Sequence, residues 1–154
     1  MKQRIKAHIG IDPGQSGAAA LLPAEGFPQV ADWPGDPVAA ADILKLWSFE
    51  HDIQLVAIER VSAMPKQGVS STFKFGMHYG SWLGILAALE LPHQLPSPRE
   101  WQKGLVKPSD GSDPKARSLA VARRLFPDAE LGRKKDHGRA DALLLAWWAR
   151  QQRG

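Results

Sequence analysis

The chain has 154 residues, 44% of them hydrophobic and 23% charged. This is the balance of an ordinary globular protein and the length of one domain, residues 1–154. It has 0 cysteines, which excludes disulfides and thiolate metal sites and leads us to expect a reducing, cytoplasmic setting. The apolar run in MKQRIKAHIGID is too short for a signal peptide, and no run approaches the roughly 20 residues that span a bilayer, so no membrane partner is expected. The net charge of +4 is unevenly spread. Up to Leu95 there are 7 Lys and Arg against 9 Asp and Glu, and from Pro96 onward 13 against 7. A basic C-terminal third suits a polyanion resting on one end of the molecule, and equally suits a solvated face.

In chain order, residues 4–11 alternate loosely and then become continuously apolar, as a central strand does, and GAAALL (17–22) returns after a Pro-Gly turn as its antiparallel partner. QVADW (29–33) reads as a third strand. DPVAAADILKLWSFEH (36–51) opens with an Asp-Pro pair suited to a helix cap and first turn, and its apolar residues keep helical spacing. IQLVAIE (53–59) reads as a buried strand, 70–90 as a long helix, HQLP (93–96) as a short strand and SPREWQKGL (97–105) as a short helix capped by Ser97. A loop at 107–113 leads into a second Asp-Pro-started helix (113–126), and a last helix runs from near Gly138 to Arg150. Hairpin-linked strands followed by crossovers predict an α/β fold with a mixed sheet, antiparallel over its first three strands and parallel after them. Gly76, Gly80 and Gly84 recur every fourth residue on the long helix. Each costs about 1 kcal/mol against Ala, so we expect close packing on the sheet or on a partner helix.

Three carboxylates stand out. Asp12 and Glu59 both close strands that should be buried and adjacent, and open sheets place ligands at such ends. Asp141, in KKDHGRADALLLAWW, begins an otherwise apolar helix and can project towards the same edge. Singly, each has a plain structural explanation: a turn, an ion pair, a helix start. Brought together they repel, and at neutral pH some of them would stay protonated unless a cation joins them. An all-oxygen cluster suits Mg²⁺ or Mn²⁺.

IGIDPGQSGAAALL, LVAIERVSAMPKQGVSSTFKFGMHYGSWLGIL and DHGRADALLLA resemble, in order, the three signatures of the RuvC-like Holliday-junction resolvases, particularly the phage-type members. The resemblance runs from about residue 5 to residue 148. It implies a ribonuclease-H-like fold and a homodimeric, Mg²⁺-dependent endonuclease for branched DNA with no small-molecule cofactor, working near the nucleoid or in an infected bacterial cell. Position by position it implies catalytic and metal-ligating roles for Asp12, Glu59 and Asp141, around two ions that activate water and stabilise the leaving oxygen. Many members place an Asp or His three residues before the last aspartate, where this chain has Gly138. His137, one turn before Asp141 on the same helical face, is our fourth ligand, with Asp136 in reserve.

For DNA contact the same resemblance implies Lys103, Lys107, Lys115 and Arg117, while Lys134, Lys135 and Arg139 flank the last acids; Arg139 could instead orient an acid. Met64 is the bulky residue of the loop expected near the junction centre. Phe73 and Phe75 follow on the helix, with at least one expected in the core. Rival readings are another ribonuclease-H-like nuclease acting on RNA–DNA hybrids or ribosomal RNA precursors, a catalytically silent branched-DNA binder, and an actin-like ATPase, which needs a second copy of the unit.

Overall fold

The computed structural model describes residues 2–62 and 66–152. Among them, five strands form one sheet in the order β3-β2-β1-β4-β5: β1 (Ile5–Asp12), β2 (Ala18–Pro23), β3 (Gln29–Asp32), β4 (His51–Ile58) and β5 (His93–Gln94). β1 pairs antiparallel with β2, β2 antiparallel with β3, and β4 parallel with both β1 and β5. This is the mixed sheet expected from hairpins followed by crossovers.

The helices are α1 (Pro37–Glu50), α2 (Val69–Ala88), α3 (Pro98–Gln102), α4 (Pro114–Leu125) and α5 (His137–Gln151). The expected caps are in place. Asp36 Oδ1 accepts from the Val38 and Ala39 amides at 2.8 and 3.0 Å, Ser97 Oγ from Glu100 at 3.2 Å and Asp113 Oδ1 from Ala116 at 2.9 Å. Several boundaries differ from expectation: β5 stops at Gln94 rather than 96 and α3 at Gln102 rather than 105. α1 runs directly into β4, which begins at His51 rather than 53, because the apolar pattern of 53–59 marks only the buried half of the strand. The expected loop at 107–113 contains a 3₁₀ turn, Pro108–Asp110, held by Asp110 Oδ2 accepting from the Lys107 amide at 2.7 Å.

Strand side chains alternate between two faces, and the two halves of the core record it. Ala7, Ile9, Ile11, Ala19, Leu21, Val56 and Ile58 face α1 and α2, among Leu44, Trp47, Trp82 and Leu86. Ala18, Ala20, Leu22 and Ala57 face the other way, onto α4, α5 and Trp101. α5 is buried on most of its circumference, from Gly138 to Ala149. It lies against the middle of the sheet because Gly10 gives it room: a Cβ there would collide with the Ala142 carbonyl and the Ala146 amide of α5.

The glycine stripe of α2 does not pack on the sheet. Gly76, Gly80 and Gly84 are exposed, and a Cβ on any of them would meet nothing within 4 Å. Around them on the same helix are Val69, Phe73 and Met77, 89%, 68% and 56% exposed. Neither Phe73 nor Phe75 is a core residue; Phe75 is half-buried beside Val61 and Tyr79. The expectation of a core phenylalanine fails because the apolar face of α2 that meets the sheet side is carried by Trp82 and Leu86 instead.

Candidate metal centre

The alternation that sorts the core also aims the acids. On β1 the residues facing α5 are the even ones, so Asp12 points to the same side as Gly10; on β4 Ala57 faces α5, and Glu59, two residues on, continues that face. The parallel register pairs Ile11 with Ile58, and the Glu59 amide donates to the Ile11 carbonyl at 3.2 Å. The two carboxylates therefore leave neighbouring strands together, under the first turns of α5. Asp141 stands there, one turn after His137.

Their environments are alike. Burial pushes the Asp12 carboxyl above its ordinary range, opposed by a hydrogen bond at 3.0 Å from the Gly14 amide to Oδ1 and by the nearby His137. Burial raises Glu59 to about 7, the Trp101 indole opposes it, and the Asp12 charge adds to it. Burial raises Asp141 well above its ordinary range; the Asp12 and Glu59 charges add to it, and a hydrogen bond from Ser118 opposes it. Asp141 Oδ1 is buried without a hydrogen-bond partner. No Lys or Arg pairs with any of the three within 4 Å among the described residues. An orphaned carboxylate oxygen amid like charge, with no Lys or Arg paired to the acids among the described residues, is a donor set that fits Mg²⁺ or Mn²⁺. Among the described residues no three His, Asp or Glu side chains form a ready-made cage; the acids share one edge and feel one another's charge without being drawn together.

The neighbouring acids are treated differently. Asp136, 2% exposed, accepts from the Arg133 amide and from Arg133 Nε, both at 2.7 Å. Burial would raise its carboxyl, but these bonds outweigh it and hold it below the ordinary range. Arg133 also reaches Asp32 at 2.9 Å, and Arg139 Nε donates to Asp32 at 2.8 Å; hydrogen bonding to Arg139 above all holds Asp32 down at about 2. This cluster ties the start of α5 to the end of β3. Asp136, the reserve ligand, is occupied by Arg133, and the contacts of Arg139 fit the orienting role rather than a phosphate contact.

Gly138 explains the missing acid at its position. A Cβ there would strike the Ser16 carbonyl, so the turn after β1 lies directly against the start of α5 and no side chain fits between them. His137, half-buried, lines a cleft of about 210 Å³ with Gln15, Ser16, Asp32, Trp33, Arg133 and Lys135. Of the remaining expected DNA contacts, Lys103, Lys107, Lys115 and Lys134 are exposed, with no ion pair among the described residues. Lys103 lines a separate groove with Trp101, Trp147 and Trp148. Arg117 spends its Nε on the Gly111 carbonyl at 2.9 Å. Met64 lies outside the described residues. The residues missed in the sequence are Trp101 and Ser118, which hold acids from α3 and α4; nothing in local spacing marks a bond across 42 positions.

No family model matches the chain. A stretch of 94 residues, 60% of the chain, is 38% identical to the chloroplastic Holliday junction resolvase MOC1 of Chlamydomonas reinhardtii, and the match spans only 10% of that protein. Among solved structures the chain resembles Thermus thermophilus RuvC in complex with a Holliday junction substrate (TM-score 0.60, 20% identity, 93% of this chain and 91% of that one). RuvC from the same organism, with no DNA named, matches with a TM-score of 0.58, 20% identity, and 92% of both chains. The yeast mitochondrial Holliday junction resolvase Ydc2 matches with a TM-score of 0.53 and 15% identity, over 96% of this chain and 79% of that one.

Proposed function

We propose that this RuvC-like chain, whose fold is the ribonuclease-H-like fold, is a divalent-metal-dependent endonuclease that resolves four-way DNA junctions by paired phosphodiester hydrolysis. The observation that carries the reading is the placing of Asp12, Glu59 and Asp141 at one sheet edge, from two neighbouring strands and a covering helix, half-buried, within reach of one another's charge and unpaired with any basic side chain among the described residues. The Holliday junction resolvase named for the Chlamydomonas relative and the junction complex of the structural neighbour support the substrate.

Asp12, Glu59, Asp141 and His137 would hold Mg²⁺ or Mn²⁺, which when bound supplies an activated water and stabilises the leaving oxygen of the cut phosphate. The chain's own part is to fix these groups and to bring the phosphate to them. The turn Pro13–Gly17 pins Asp12 through the Gly14 amide. His137 stands on the accessible side, where it can ligate or carry a proton. Lys135 lies beside it in the same cleft, and the unpaired lysines of the C-terminal third add sequence-independent attraction for the backbone.

Cutting two strands symmetrically needs two sites, so we read the working unit as a homodimer. The exposed face of α2 is the surface that fits a second copy. It presents Val69, Phe73 and Met77 to solvent, and its glycines allow another backbone to approach closely. A nucleoid or infected-cell cytoplasmic setting is the one the proposed activity calls for.

The test compares a four-way junction, linear duplex, flap and RNA–DNA hybrid, each with Mg²⁺ and with EDTA. We expect metal-dependent cutting of the junction, lost in Asp12→Asn while junction binding persists. Preferential cutting of the hybrid would assign the site to the other ribonuclease-H-like chemistry, and binding without cutting would leave a silent junction binder.

A further inference from the structure

The acids around the start of α5 differ in what donates to them. Asp32 and Asp136 are held by guanidinium groups. The three acids of the candidate centre are held only by neutral donors: Asp12 by a backbone amide, Glu59 by the Trp101 indole and Asp141 by the Ser118 hydroxyl. A guanidinium beside Glu59 or Asp141 would neutralise the carboxylate and repel an incoming cation. A neutral donor fixes one oxygen and leaves the negative charge in place.

We propose that Trp101 and Ser118 are positioning residues that hold Glu59 and Asp141 in the orientation the metal requires, a proposal that rests on the metal-dependent reading above. Trp101 sits on the short helix α3, 1% exposed, and its Nε1 donates to Glu59 Oε2 at 2.7 Å. That lies at the short end of the range for an N–H donor. An indole has a single donor and no acceptor, so the bond has one direction and one rotamer. Burial of the ring against α5 therefore sets the azimuth of Glu59 from a different element than the strand carrying it. Ser118, 3% exposed, does the same from α4. Its hydroxyl is turned to Asp141, whose Oδ1 is left without a partner. Each acid thus keeps one oxygen not engaged by its positioning residue.

The experiment uses the full chain without DNA and follows free Mn²⁺ by electron paramagnetic resonance, alongside junction affinity in EDTA and cutting rate against Mg²⁺ concentration. Trp101→Phe keeps most of the ring and deletes the donor; Ser118→Ala deletes the hydroxyl and Ser118→Thr restores it. We expect Mn²⁺ affinity to fall about 10–100-fold in Trp101→Phe and Ser118→Ala, with near-wild-type affinity in Ser118→Thr. Junction affinity in EDTA should be unchanged, and added Mg²⁺ should restore part of the cutting rate. A wild-type protein that binds Mn²⁺ and cuts, with Trp101→Phe and Ser118→Ala indistinguishable from it in both, overturns the positioning role alone. A wild type that binds no Mn²⁺ overturns this proposal and the metal-dependent reading with it. Should Trp101→Phe fail to fold, the contrast between Ser118→Ala and Ser118→Thr decides: no difference between them overturns the proposal.

Discussion

Asp12, Glu59 and Asp141 are expensive residues for a metal-free protein. Each is drawn out of water beside the others, and the direction of every shift is upward. For Glu59 the sign follows directly. Its folded value, about 7, lies above the ordinary 4.5, so the folded state holds the proton more tightly than the unfolded chain. Its contribution to stability is fully present below about 4.5 and is lost as pH rises through about 7. Without metal, Glu59→Gln should therefore melt above the wild type at pH 8, by about 2–4 °C for each kcal/mol of repulsion removed, and the gap should close towards pH 4.5. With Mg²⁺ the order should reverse, because only the wild type gains from binding. Thermal melts in EDTA and in Mg²⁺ across this pH range check both. The three acids were legible in the sequence because each ends or begins an apolar run, where a charged residue is conspicuous. Trp101 was not: its ring looks like any core tryptophan until the fold brings α3 over the end of β4.

At the scale of elements, the centre depends on how closely α5 approaches β1 and the turn that follows it. That approach rests on two positions without side chains, Gly10 beneath the middle of the helix and Gly138 at its start. At Gly10 the atoms in the way are backbone, which cannot rotate aside. Gly10→Ala should therefore push α5 off the sheet and cost about 1–3 kcal/mol or more. Urea unfolding should show the lost stability, and cutting should fall further than stability alone explains, since α5 carries His137 and Asp141. Periodicity and caps predicted nearly all of the elements, because Asp-Pro starts and strand alternation are local signals. The α2 glycines show where such reading stops. Spacing identified a smooth stripe but not which face of the helix the tertiary packing would bury, and the core instead took Trp82 and Leu86.

Over the whole molecule, charge and shape divide the work. The basic excess lies in the C-terminal third, on the segments that carry α3, α4 and α5 over the acids, while the exposed apolar surface of α2 belongs to the opposite layer of the sheet. A protein that met DNA with α2 would bury a largely apolar face, with Lys74 as the helix's one lysine, against phosphate, and one that paired through the lysines of its C-terminal third would bring like charges together. In the proposed dimer, the arrangement with fewest such conflicts would join two copies through α2 and turn both basic faces outward to the DNA. Two substitutions separate these functions. Met77→Glu places a charge in the proposed contact and should yield a monomer by sedimentation, one that nicks single strands and no longer cuts in pairs. Lys103→Ala combined with Lys107→Ala should leave the dimer intact, weaken binding to junction and duplex alike, and flatten the dependence of log affinity on log salt by about one for each phosphate contact removed. If Met77→Glu stays dimeric and cuts in pairs, the second copy is held by another surface and the stripe on α2 has a different use.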